Sequence, residues 1–381
     1  GHGRHAAKDY QGGERIEVPH PLLQAGDACP DCGQGTLYDH APGLLVRIVG
    51  QSPLQSRVYE LQKFRCHLCG TLFQAEPPAD AGERKYDATA AAMIALLKYG
   101  SGLPFNRLEG LQRNLKIPLP ASTQWDVVQA FAPFAAPAFE ELVRQAAQGE
   151  VLHNDDTTIK ILELMGERGK QAREQSDGTR TGLFTSGVVA LRDDRRVALF
   201  FSGRQHAGEN LSDVLAHRGD ECHPPIQMCD ALSRNLTKDL ETIVANCLAH
   251  ARRQFVEIHD RFPDECRHVL EAFKVVYRND ANARKRGLTP QKRLQLHRIK
   301  SQQTMDRLHN WLNRQFDEKR VEPNSPLGGA IRYLLKHWGK LTLFLREPGA
   351  PLDNNLCERA LKKAILHRKN ALFYKSQNGA R

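Results

Sequence analysis

The chain has 381 residues, 54 Lys and Arg against 44 Asp and Glu, a formal net charge of +10, and 40% hydrophobic residues. That length suits two or three domains with cores of their own. No stretch approaches the roughly 18–20 apolar residues of a membrane-spanning helix, and the polar first 20 residues are unlike a secretory leader. The expectation is a soluble, cytoplasmic protein with a polyanionic partner, which charge suggests and only motifs can decide. Of nine cysteines, Cys29, Cys32, Cys66 and Cys69 cluster, and the other five scatter as reduced thiols do in a cytosolic chain. A start on Gly1 and a stop at Arg381, inside a continuing pattern, suggest a natural protein that extends further at both ends.

Cys29-Pro-Asp-Cys32-Gly33 and Cys66-His-Leu-Cys69-Gly70 are two Cys-x-x-Cys knuckles, each closed by a glycine that permits a tight turn. Four thiolates so spaced can hold one structural Zn2+ tetrahedrally, with no open position for catalysis. Alternation over Leu44–Ile48 and Val58–Phe64 predicts strands between the knuckles, and residues 1–82 read as a metal-held ribbon with its linker. Residues 83–149 read as a helical bridge. Asp87 is the expected cap of a first helix, Pro104–Leu115 a second, and Ser122 the cap of a third that starts at Thr123 and is interrupted at Pro133 and Pro137. Helix, turn and capped helix suit a DNA-binding helix-turn-helix, with Gln124, Trp125 and Gln129 facing DNA, and equally an ordinary helical hairpin.

From Glu150 the period changes. Val151–Asn154 leads into Asp155-Asp156, and apolar runs at Gly182–Leu191 and Arg196–Ser202 flank a turn. A short helix follows over Glu209–His217, and Pro225–Cys229 is a buried-strand candidate ending at Asp230. Three strands, a helix and a fourth strand with an acid at its end is the opening of a ribonuclease-H-like α/β fold. Phosphoryl transfer by two Mg2+ ions about 3.5–4 Å apart needs oxygen ligands, usually three carboxylates. The third acid is assigned to Glu358, one turn into a helix that Asp353 or Asn354 can cap. Residues 150–240 and 346–381 thus form a split core. Residues 241–345 form an all-helical insertion, in which Val269, Leu270, Phe273, Val276 and Tyr277 share one face and Met305, Leu308, Leu312 and Phe316 another. The insertion carries Arg252, Arg253, Arg284, Lys285, Arg286, Lys292, Arg293, Arg298 and Lys300, a basic set suited to phosphates.

The segments Val151–Thr157, Ile226–Asn235, Asn246–Phe255 and Leu352–Phe373 resemble, in order, the transposases of the bacterial insertion sequence 66 family. The double Cys-x-x-Cys resembles that family's zinc-binding domain. The resemblance runs from about residue 20 to the end and implies a DDE transposase. Such an enzyme cleaves the ends of a mobile element and joins the freed 3′-hydroxyls to target DNA with Mg2+ or Mn2+. Carried over by motif, the catalytic acids and metal ligands are Asp155, Asp230 and Glu358. Asp156 is the rival for the first position; only one of two successive strand residues can face the metals, and Asp155 is preferred. Lys362, Lys363, Arg368 and Lys369, with Arg252 and Arg253, are the expected DNA contacts. The implied partners are double-stranded DNA (terminal repeats and target), a second copy in a dimer or larger assembly, and small accessory proteins of the same element. Two other readings stay open: a transposase-derived, zinc-containing repressor without catalysis, and a ribonuclease-H-type nuclease that does not rejoin.

Overall fold

The computed structural model describes residues 16–41, 52–167, 182–237 and 240–380. The chain forms two compact units, residues 1–55 and 56–381. In the first, Ala28 and Thr36 form an isolated antiparallel bridge around the Cys29 knuckle. Gly33 takes φ 65° and returns its N–H to the Cys29 carbonyl at 2.8 Å. In the second unit the Cys66 knuckle repeats that turn: Gly70 has φ 73° and its N–H meets the Cys66 carbonyl at 2.9 Å. A side chain at either glycine would be strained in this left-handed conformation. The knuckle joins the hairpin of β1 (Lys63–Arg65) and β2 (Leu72–Gln74). The strand expected over Leu44–Ile48 lies outside the described residues, and that over Val58–Phe64 is confined to its last residues.

Three helices follow. Asp87 caps α1 (Ala88–Ala95) as expected, accepting the Ala90 N–H at 2.8 Å. Helix α2 spans Phe105–Asn114, and α3 spans Ala121–Ala147 as one continuous helix through Pro133 and Pro137. Pro133 and Pro137 leave the carbonyls of Gln129 and Pro133 without a donor, and both residues are exposed, so water can satisfy them. Ser122 caps nothing; the helix begins at Ala121, whose N–H meets Glu109 Oε2 at 3.1 Å. Gln124 does not face outward. It is fully buried, and its amide donates to the carbonyls of Phe105 and Leu119, both at 3.0 Å, fastening α3 to α2.

The second unit is built on a five-stranded mixed sheet in the order β5-β4-β3-β6-β7. β3 (Val151–Thr158), β4 (Phe184–Arg192) and β5 (Arg195–Gly203) form an antiparallel meander. The chain then crosses through α4 (Ala207–Leu215) to β6 (Ile226–Cys229), parallel to β3, and on to β7 (Ile243–Asn246), parallel to β6. β7 lies where a helical insertion was expected. Its four residues are too few for periodicity to reveal, and pairing with β6 decides their conformation.

Alternation along the strands sorts the two faces. Leu152, Val188, Ala190 and Leu199 pack with Leu211 and Val214 of α4 and with Ala146 and Ala147 at the end of α3. Val189 faces the other way, against Cys357 and Leu361 of α10 (Asn355–Ala371). Gly187 lies on that second face because a Cβ there would come within 3.0 Å of Leu361. Between β7 and α10 run α5 (Leu248–Glu257), α6 (Pro263–Lys285), α7 (Pro290–Lys300), α8 (Gln302–Asp317) and α9 (Pro326–Leu341). That makes ten α-helices among the described residues. The 3.6-residue stripes read from the sequence line one core, with Val269, Phe273, Val276, Met305, Leu308 and Leu312 almost completely buried. Each such side chain contributes roughly 1.5–3 kcal/mol.

A buried charged knot ties this helical region to the segment before α10. Asp280 accepts from Arg293 Nε at 2.6 Å and lies 3.3 Å from His297 Nε2, while Arg293 Nη1 donates to the Ala350 carbonyl at 2.8 Å. Burial acts to raise the Asp280 carboxyl, but His297 and Arg293 outweigh it and hold the group below the usual carboxylate range. A carboxylate that is lowered on folding adds stability above the ordinary aspartate range, and that stability is lost as pH falls through it. Asp280→Ala is therefore expected to destabilise the chain by about 3–5 kcal/mol at pH 7, since it strands a buried Arg–His pair. The difference from wild type should shrink in denaturant melts below about pH 4.

Candidate active site

Asp155 lies late in β3, and Asp230 directly follows β6. The parallel register pairs His153 with Met228, so two residues further on Asp155 stands level with Asp230. Glu358 lies in the first turn of α10, on the sheet face that Asp155 shares with Gly187 and Val189. The three acids are separated by 75 and 128 positions in the chain, yet they act on one another electrostatically. Burial first, then the charges of Asp230, Asp156 and Glu358, push the Asp155 carboxyl up to about 7, against one opposing hydrogen bond from the Asp156 N–H. Asp155 is therefore a group that needs a proton or a cation beside it.

Asp156 points to the opposite face. Its side chain is 2% exposed, lies 3.0 Å from His206 Nδ1 and 3.4 Å from Arg234, and so fixes the start of α4. The two neighbouring aspartates thus have separate tasks, one in the acid cluster and one in an ion-paired structural contact.

A set of buried amides holds the acids in place; of these, sequence reading gave a role only to Asn354, as a candidate helix cap. The Asn154 amide donates to the Asn235 carbonyl at 2.7 Å, and Gln227 donates to Asn154 Oδ1 at 3.1 Å and to the Asn235 carbonyl at 2.7 Å. Asn235 Nδ2 in turn donates to Asp230 Oδ1 at 2.5 Å, and the Leu232 N–H reaches the same oxygen at 3.1 Å. Asn354 occupies the N-cap position of α10, but its side chain makes no capping bond. It bridges to β3 instead, with Oδ1 3.0 Å from His153 Nδ1 and Nδ2 donating to the Asn154 carbonyl at 3.0 Å. Asp353 accepts the Asn355 N–H at 3.2 Å, so it is Asp353 that serves the helix start. The one available signal was polarity: Asn154, Gln227 and Asn354 are polar residues in otherwise buried, strand-like or helix-start positions.

Residues 84–381 match the family described as "Transposase IS66 family". The chain belongs to the IS66 transposase family. It is also similar to two proteins of Sinorhizobium fredii (strain NBRC 101917 / NGR234). "Uncharacterized protein y4hP" is 28% identical, over 96% of this chain and 67% of its own length. "Uncharacterized protein y4jD" is 26% identical, over 83% of this chain and 61% of its own. The chain thus spans about two thirds or less of the relatives it matches.

A transposase acts on DNA, and the basic residues singled out for that role divide into two groups. Arg252, Arg253, Lys362, Lys363 and Lys369 are exposed. Arg368 is committed elsewhere: Nη1 donates to Thr157 Oγ1 at 3.0 Å and to the Thr158 carbonyl at 2.5 Å, pinning α10 to the end of β3. Arg293 and Arg298 are likewise tied to backbone carbonyls, of Ala350 and Leu345. At the knuckles, the Thr71 hydroxyl, 3.1 Å from Cys69 Sγ, leads the hydrogen bonds that lower that thiol to about 7. Cys32 is lowered too, first by the Gln34 N–H. No helix among the described residues is long and apolar enough to cross a membrane.

Removing one charge from the acid cluster should stabilise the metal-free protein. Asp155→Asn is expected to raise the melting temperature in EDTA by several degrees at pH 8, where the like charges repel most. Added Mg2+ or Mn2+ should raise the melting temperature of wild type and leave the variant nearly unmoved.

Proposed function

We propose that this IS66-family chain is a DDE transposase with a ribonuclease-H-like core, in which Asp155, Asp230 and Glu358 hold divalent cations for DNA cleavage and strand transfer. The single observation that carries this reading is the convergence of acids from β3, the end of β6 and the first turn of α10 on one side of the sheet, with Asp155 raised to about 7 by burial and its acidic neighbours. The donor set fits a divalent cation: Glu358 Oε1 is buried and has no hydrogen-bond partner among the described residues, which is costly for a carboxylate oxygen unless a cation takes that place. Mg2+ or Mn2+, when bound, would supply Lewis-acid assistance to the attacking and leaving oxygens. The sheet order, with one strand antiparallel among four that run the same way, also supports the ribonuclease-H-like assignment.

In this reading the protein's own groups orient the reacting phosphodiester. Asn235 and the Leu232 N–H fix Asp230 through one oxygen, leaving the other free to turn inward. Asn354 sets α10, and hence Glu358, against β3. In cleavage, a water oxygen bonds to phosphorus as the bond to the 3′ oxygen breaks, and that oxygen leaves as a 3′-hydroxyl. In joining, the 3′-hydroxyl attacks a target phosphodiester and displaces its 3′ oxygen. The exposed Arg252, Arg253, Lys362, Lys363 and Lys369 would neutralise DNA phosphates around the acids. Joining two ends requires both in one complex, so a dimer or larger assembly is part of the proposal, as are accessory proteins of the element. The sequence motif of two glycine-closed Cys-x-x-Cys knuckles is what supports binding of one structural Zn2+ by Cys29, Cys32, Cys66 and Cys69.

The test incubates the protein with labelled element-end DNA and Mg2+ or Mn2+. Asp155→Ala, Asp230→Ala and Glu358→Ala should each lose cleavage and joining by at least about 10³-fold, a loss of roughly 4 kcal/mol in transition-state stabilisation. Wild-type rates in all three would remove the assignment. Cleavage without joining in wild type would favour a nuclease, and sequence-specific binding with no reaction a repressor. Separately, metal analysis should find one zinc per chain, and Cys66→Ser should lower both zinc content and thermal stability.

A further inference from the structure

Helix α5 starts immediately after β7, and its first turn carries His250 towards the first turn of α10. His250 Nδ1 and Glu358 Oε1 lie 3.8 Å apart, too far for a hydrogen bond. Both atoms are shielded from solvent, and neither has a hydrogen-bond partner among the described residues. Ligand atoms of Cys247, His250 and Glu358 all lie within 4.8 Å of one another. Bonds of about 2.0–2.2 Å from a histidine nitrogen and a carboxylate oxygen to one metal ion would place the two donors roughly 3–3.5 Å apart. The observed pair needs only a small closure to reach that.

Cys247 belongs to the frame of this site rather than to its ligands. It is completely buried, its Sγ accepts the Asn354 N–H at 3.2 Å, and its own N–H meets the Cys229 carbonyl at 3.0 Å. The adjacent Leu248 N–H meets the Leu352 carbonyl at 2.9 Å. The starts of α5 and α10 are thereby clamped together, and His250 and Glu358 face each other as a consequence.

We propose that His250 is a nitrogen ligand to the cation held at Glu358, giving the site a mixed oxygen–nitrogen donor set. This rests on the reading of Asp155, Asp230 and Glu358 as the metal-binding acids. It extends that reading to a residue on a different helix and to the choice of metal. Mg2+ takes oxygen ligands almost exclusively, whereas imidazole suits Mn2+ less than later transition metals but far better than it suits Mg2+. The nitrogen therefore selects Mn2+ over Mg2+ more strongly than three carboxylates alone would. An imidazole at this position also adds no negative charge to a cluster in which Asp155 already feels three acidic neighbours.

The test titrates Mn2+ alone into the full 381-residue chain, with free Mn2+ read by electron paramagnetic resonance and Mg2+ as competitor. His250→Ala should weaken Mn2+ binding by at least about tenfold, with a much smaller effect on Mg2+ competition. His250→Asp, which restores an oxygen donor, should recover Mg2+ binding more than Mn2+ binding, a reversal of preference that a purely structural histidine would not produce. Asp155→Asn serves as the reference. If it weakens Mn2+ binding while both His250 variants bind both metals like wild type, the histidine ligand is wrong and the acid site stands. If wild type binds no Mn2+, or Asp155→Asn binds it unchanged, the acid site fails and this inference fails with it.

Discussion

Like charges brought close together are the constraint on which the core of this protein depends. Asp155 is raised to about 7 by burial and by Asp230, Asp156 and Glu358, so the fold holds together groups that repel one another. Such an arrangement opposes folding unless neighbouring contacts over-determine it. Its persistence here is explained by what surrounds it. Asp156 is turned to the other face, where His206 and Arg234 hold its carboxylate away from the position that Glu358 takes.

The remaining support is made of uncharged hydrogen bonds. Asn154, Gln227 and Asn235 form a buried chain that ends on Asp230, and Asn354 joins α10 to His153 and Asn154 of β3. Neutral amides suit this task because they donate to carboxylates without adding net charge. The Cys247–Asn354 contact extends the same frame to α5. The acid that arrives last in the chain, Glu358, is thus located by contacts to β3 and to the start of α5, before any cation is considered.

The helical region between β7 and α10 separates Asp230 from Glu358 by 128 positions, and its own core makes that separation tolerable. Its apolar stripes close on themselves, and the Asp280–Arg293–His297 knot links it to Ala350, just before α10. Several of its arginines are consumed in this way. The net charge of +10 consequently overstates the positive charge left free at the surface, to which exposed residues such as Arg252, Arg253, Lys362, Lys363 and Lys369 contribute.

By itself the sequence determined the elements whose signal is local. Asp87 announced its helix, the stripes through Val269, Phe273 and Met305 announced helices of the insertion, and the alternating runs ending near Leu191 and Ser202 announced two strands. The four motifs also sufficed to point to the IS66 family. What depends on distant partners was not legible. Four residues of β7 carry no usable period, and Gln124 looked like a surface amide until Phe105 and Leu119 enclosed it. That Asp155 and Asp156 point to opposite faces followed from strand alternation, but which face held α10 and which held α4 was decided only by packing. The approach of His250 to Glu358 arises in the same way. Residues 108 positions apart meet because two helix starts are clamped through Cys247, and a clamp made of backbone and buried thiol leaves no periodic trace in a sequence.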